Sequence, residues 1–165
     1  MLLLDSAAAQ GGGDRACSCC DPEYRQFDFW VGDWVAYDLQ NGEALAGYNQ
    51  IVLLQDSCVV QENWSSGNGF YSGTSYNWYD RQNDRWHQSW IDNQGGSLQL
   101  SGGLRAGKMV LSSAPMTDGD GNSLVNRITW TPNPDGTVRQ HWEITRNGGA
   151  SWETLFDGLY RRRGE

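Results

Sequence analysis

The sequence predicts an all-β domain, a closed antiparallel up-and-down barrel of about 8–10 strands. Three observations predict it. Nine Trp, seven Tyr and four Phe supply side chains that suit a half-buried pleated surface. Twenty-one Gly against four Pro punctuate short alternating runs, so turns are frequent and strands are short. No helical period of useful length runs through the 165 residues, a length that suits one domain. Such a chain buries about two thirds of the surface it exposes when unfolded.

In chain order, residues 1–21 read as a disordered leader or a signal-peptide remnant, and 22–165 as the single barrel domain. Leu2-Leu3-Leu4 followed by Ala7-Ala8-Ala9 resembles the end of a secretory signal, although a basic n-region and a longer apolar run are missing. Export to the periplasm or medium is therefore expected, with a cytoplasmic location as the alternative. Residues 1–20 are expected to make few contacts. One helical turn is expected over Pro22 to Phe27, with Asp21 as N-cap and Pro22 at the first position. Strands follow at 30–39, 43–54, 57–66, 70–79, 85–92, 96–104, 108–113, 124–131, 137–146 and 151–161. Asn41-Gly42, Gln55-Asp56, Gly67-Asn68-Gly69, Asn93 to Gly96 and Asn133-Pro134-Asp135-Gly136 supply turns between them. A meander of this kind removes its two edges by closing on itself, and a sandwich is the alternative.

Two loops carry suggestive patterns. Thr145 to Trp152 resembles the Asp-box hairpin of sialidase-type propellers, but it occurs once, so it reads as a turn device without sialidase activity. Asp118 to Asn122 has the spacing of a calcium loop, but Ser123 and Thr129 stand where that loop needs Gly and Glu.

Side chains two apart on a strand share a face. Glu62 with Trp64, Gln88 with Trp90, and Gln140 with Trp142 each place a carboxylate or amide beside an indole on one face. Tyr76 with Trp78 and Ile128 with Trp130 extend the pattern. Asn63, Ser89, Arg139, His141 and Glu143 occupy the opposite faces, so the Trp faces are expected inside. Aromatic walls with a few polar groups describe a ligand cavity better than a filled apolar core.

Phe27-Asp28-Phe29-Trp30-Val31-Gly32-Asp33-Trp34 resembles the opening strand of lipocalin-like (calycin) barrels, which begin with Gly-x-Trp. More narrowly, residues 22–161 are similar to an uncharacterised bacterial lipocalin-like family that opens with Phe-x-Phe-Trp-x-Gly-x-Trp. The resemblance implies a barrel like those of lipocalins and fatty-acid-binding proteins, with an internal pocket. It also implies that Trp34 packs at the closed end against Arg161 or Arg162. It carries no activity, because a fold does not fix function.

The formal net charge of −8 argues against nucleic acid, which needs a basic footprint. No apolar run reaches the ~20 residues of a membrane helix. Cys17, Cys19 and Cys20 lack the spacing of a zinc site, though a disulfide within the leader fits an exported protein. Cys58 reads as a small buried apolar residue. His87 and His141 are both expected to face outward, which argues against a haem ligand. No metal or cofactor is expected.

The leading expectation is a binder of a small, partly polar, aromatic or apolar molecule. Its contacts would come from Glu62, Trp64, Tyr76, Trp78, Gln88, Trp90, Arg127, Trp130, Gln140 and Trp142. One alternative is a small barrel enzyme of isomerase, hydratase or decarboxylase type. Glu62 would be its acid or base, aided by Tyr76 or Arg127. The other alternative is a structural module with a filled core.

Overall fold

The computed structural model describes residues 17–164. Its strands are β1 (Gly32–Asp38), β2 (Ala44–Leu54), β3 (Val59–Ser66), β4 (Ser72–Asp80), β5 (Arg85–Asp92), β6 (Ser97–Arg105), β7 (Lys108–Ser112), β8 (Met116–Thr117), β9 (Ser123–Pro132), β10 (Val138–Thr145) and β11 (Glu153–Arg162). They run in the order β10-β11-β1-β2-β3-β4-β5-β6-β7-β9, and a β9–β10 pairing closes the ring. All pairings are antiparallel. The result is a closed ten-stranded barrel, with the two-residue β8 paired to the start of β9. Each strand expected from the sequence is present, and closure disposes of the sandwich alternative.

One end of the barrel is plugged by the chain that precedes β1. Residues Pro22–Arg25 and Asp28–Trp30 form two 3₁₀ turns that lie across the opening. Phe27 stacks on Trp30 with ring centroids 5.0 Å apart and meets Trp86 and Trp130 edge-on. All four rings are buried. Asp21 does precede the first turn, but its side chain makes no capping bond; it pairs with Arg81 at 3.0 Å instead.

The opening motif explains itself in this floor. The Trp34 indole donates to the Trp30 carbonyl at 2.8 Å, and the Arg162 guanidinium sits 4.0 Å over its ring. Arg162 also donates to the Val31 carbonyl at 2.7 Å. The basic partner is therefore Arg162, while Arg161 points outward to Glu43. Gly32 has φ +141°, and a Cβ there would collide with the Arg162 guanidinium, so the motif needs glycine at that position.

The leader departs from expectation. Cys17 bonds to Cys20, and Cys19 bonds to Cys58 across 39 residues. Cys19 is buried, and Arg81 donates to the Ser18 carbonyl. Residues 17–20 are thus tied to the barrel, and Cys58 is not a plain buried thiol. Nor does Cys58 lie in a strand. Gln55, Asp56 and Ser57 all have positive φ, and that turn delays β3 to Val59. The signal-like stretch from Leu2 to Ala9 lies outside the described residues.

The two patterned loops behave as turns. In the hairpin after β10, Thr145 Oγ1 and Asn147 Oδ1 accept the Gly149 and Ser151 amides, each at 2.9 Å. Trp152 lies under Arg127 at 3.7 Å. Asp118 accepts the amides of Asp120 and Asn122, so its carboxylate serves its own turn. Among the described residues no three His, Cys, Asp or Glu side chains are grouped as a metal site.

Candidate functional site

Above the aromatic floor the interior changes character. A layer of polar side chains comes first: Asn49 on β2, Glu62 on β3, Ser75 and Asn77 on β4, and Gln88 on β5. All five are buried. They form one network. Glu62 accepts from Asn49 Nδ2 and from Ser75 Oγ, each at 2.7 Å. Asn77 Nδ2 donates to Ser75 Oγ at 3.0 Å and to the Val60 carbonyl at 3.0 Å. Gln88 Nε2 donates to Asn77 Oδ1 at 2.8 Å. On the facing wall the Tyr160 hydroxyl donates to Gln140 Oε1 at 2.6 Å.

Beyond this layer lies a cavity of 320 Å³ that opens to solvent at the end opposite the floor. Glu62, Gln88, Gln140 and Tyr160 border it below, and Trp64, Tyr71, Trp90, Trp142 and Phe156 form its walls. Two of these rings pack close against the backbone because glycines stand beside them. A Cβ on Gly73 would meet the Trp90 ring, and one on Gly47 would meet the Trp64 ring. Rings pressed onto bare backbone leave the middle of the barrel open. Trp142 is further fixed by its indole, which donates to Asn126 Oδ1 at 2.9 Å.

Six of the ten residues expected in the pocket line it: Glu62, Trp64, Gln88, Trp90, Gln140 and Trp142. Four do not. Trp130 faces inward but is packed in the floor, against Phe27 and Trp30. Tyr76 and Trp78 lie on the outer surface, 45% and 36% exposed. Their strand alternates Ser75-Tyr76-Asn77-Trp78, and the small polar members turn inward to serve Glu62. Trp78 instead stacks on His87, its cross-strand partner, at 5.2 Å. Arg127 is also outside, bonded to Glu143 at 3.0 Å and stacked on Trp152. Glu62 is therefore held by Asn49 and Ser75, and neither Tyr76 nor Arg127 is available to assist it.

Sequence reasoning missed Tyr71, Phe156 and Tyr160 as lining residues, and the Asn49–Ser75–Asn77 network. For Trp78 a usable signal existed. Cross-strand partners share a face, so an outward His87 opposite Trp78 requires an outward Trp78.

Burial raises the Glu62 pKa from 4.5 to about 7, partly offset by the bonds from Ser75 and Asn49. Tyr160 and Tyr71 are raised above the usual tyrosine value, chiefly by burial, so both stay neutral at physiological pH. The raised Glu62 pKa has a consequence for stability. Between 4.5 and about 7 the unfolded chain has lost the Glu62 proton while the folded one keeps it. Folded protein then binds more protons, so stability falls as pH rises through this window and levels off above it. The expected loss is on the order of 3 kcal/mol. Glu62→Gln should abolish it, so the variant gains on wild type from pH 4.5 to 8 when both are unfolded with urea. Parallel stability curves for the two proteins would show that Glu62 titrates normally.

No protein-family model matches the chain, and no curated protein sequence is significantly similar to it.

Proposed function

We propose that the barrel binds a small molecule with an aromatic or apolar body and a polar end. One observation carries the reading: the 320 Å³ cavity has indole walls toward its mouth and a hydrogen-bonding layer at its base. A filled core would place apolar side chains where this space stands open. Placement among the lipocalin-like barrels has the Gly32-Asp33-Trp34 floor and the closed ring of strands in its support. Two disulfides favour an oxidising compartment, hence the periplasm or the medium.

Ligand binding should shift the fluorescence of several Trp together. Trp90→Ala and Trp142→Ala should each weaken it by ~1–3 kcal/mol if the rings stack on the ligand. Gln88→Ala should change selectivity more than affinity, because a polar group left unpaired rejects the wrong ligand. Trp78→Ala, on the outer face, should leave affinity unchanged. Equal effects from Trp78→Ala and Trp90→Ala would overturn the assignment to the cavity.

A second reading makes Glu62 an acid or base, favoured by its titration near neutrality at the cavity surface. With Tyr76 and Arg127 excluded, Tyr160 and Gln140 are the groups placed to assist. Glu62→Gln should then abolish turnover while ligand affinity persists; loss of both together would return Glu62 to a binding role.

A further inference from the structure

We propose that the cavity takes a small organic ammonium ion, seated among Trp64, Trp90 and Trp142 with its charge toward Glu62. The inference rests on reading the cavity as a binding site and names the class of its ligand.

Glu62 is the one charged side chain among the described lining residues, and no Lys, Arg or His borders the space. A buried carboxyl ordinarily has a cationic partner, because removing the charge from water is costly. This one has only the Asn49 amide and the Ser75 hydroxyl. Each of its oxygens keeps a further lone pair to offer. Beside it, Asn49 Oδ1 is buried with no hydrogen-bond donor. At the base of the cavity the Glu62 carboxylate thus offers acceptors without a cationic partner, beside the Gln140 amide.

The walls ask for the same kind of guest. The face of an aromatic ring carries negative charge and attracts cations, most strongly in indole. Trp64, Trp90, Trp142, Tyr71 and Phe156 surround the space. A neutral aromatic guest would satisfy the walls and leave the acceptors unmet. An anionic guest would be repelled by Glu62.

The mouth agrees. Its loops and strand ends carry Asp38, Asp92 and Asp120, with Glu43 paired to Arg161 and with Asp118 and Glu153 sharing Arg146. Asp92 stands at the rim, accepting from the Tyr71 hydroxyl at 3.1 Å. The Gly96 amide holds its carboxyl below the usual range, so it stays ionised. Such a rim draws cations inward.

The charge of Glu62 makes binding depend on pH. The groups that face it are Asn49 from β2, Ser75 from β4, Gln88 from β5, Gln140 from β10 and Tyr160 from β11, with Tyr71 above. Only the two tyrosines among them titrate, and both remain neutral through this range. Glu62 alone among these groups changes charge near pH 7, and a bound cation favours its ionised form. Affinity should rise with pH to about 7 and then flatten, with a proton released on binding below that point.

The test uses the full chain and three probes of similar size: benzylammonium, its neutral isostere ethylbenzene, and benzoate. Binding is read by Trp fluorescence and by calorimetry in buffers of different ionisation enthalpy. At pH 8 the cation should bind roughly tenfold or more tighter than the isostere. That preference should shrink at pH 5.5, and benzoate should bind weakest. Glu62→Gln should bring the cation's affinity down to that of the isostere at every pH. Because wild type alone yields the pH dependence, the test does not depend on the variant folding. Equal binding of cation and isostere at pH 8 would overturn the ammonium proposal and leave a neutral-ligand pocket standing. Binding of none of the probes would overturn the ammonium proposal and count against the pocket reading as well.

Discussion

Trp34→Ala is expected to destabilise the protein by ~3–5 kcal/mol, as truncation of large buried aromatics does. In a domain of this size that lowers Tm by on the order of 10 °C. Three losses combine. The ring is only 1% exposed, so its removal leaves a cavity under the floor. The Trp30 carbonyl loses the indole donor that reached it at 2.8 Å. Arg162, stacked 4.0 Å above, loses its aromatic partner and keeps only its bond to the Val31 carbonyl. Trp78→Ala is the contrasting variant, because that ring is 36% exposed and stacks only on His87. It should cost less than about 1 kcal/mol. A Trp34→Ala protein that melts within a degree or two of wild type would end the barrel-floor assignment.

The different fates of these two tryptophans show what was legible in the sequence. Strand positions followed from turn residues and alternation, which are local properties. So did the inward face of β3 and β5, where Glu62–Trp64 and Gln88–Trp90 alternate with polar neighbours. The face of β4 was not local. Ser75-Tyr76-Asn77-Trp78 gives two plausible faces, and burial by hydropathy favours the aromatic one. The strand takes the other because Glu62 and Gln88 on the flanking strands require hydrogen-bond partners, and Ser75 and Asn77 supply them. Only the pairing register, with Glu62 opposite Ser75, shows that need. Arg127 failed for the same reason: Glu143 and Trp152 claim it from the outside, and both come from later in the chain. Trp130 was placed on the correct face but at the wrong height, since alternation gives the side of a strand and not the depth along the barrel. The partner of Cys58 was likewise illegible, because four cysteines allow three pairings and spacing does not choose among them.

That partner carries the second large prediction. Cys19–Cys58 closes a loop of 39 residues, which the chain-entropy relation converts to about 4 kcal/mol of stability. Cys17–Cys20 spans three residues, and the same relation gives it less than half of that. The double variant Cys19→Ser/Cys58→Ser should therefore melt far below wild type, and Cys17→Ser/Cys20→Ser only slightly below. Location strengthens the first effect. Cys58 follows the strained turn whose Ser57 carbonyl accepts from Arg25, and Arg25 sits in the 3₁₀ turn that leads into the floor. Cys19 thus anchors the start of the plug, while the Trp86 indole, donating to Gln26 Oε1 at 3.1 Å, holds its middle. A protein truncated to begin at Asp21 loses both bonds and should lose at least as much stability as the Cys19/Cys58 variant. Reduction of wild type with dithiothreitol breaks both bonds and should bring its midpoint in urea slightly below that of the Cys19/Cys58 variant. If truncated, reduced and native proteins instead unfold together, residues 17–20 are the inert leader that their composition suggests, and the plug stands on Phe27 and Trp30 alone.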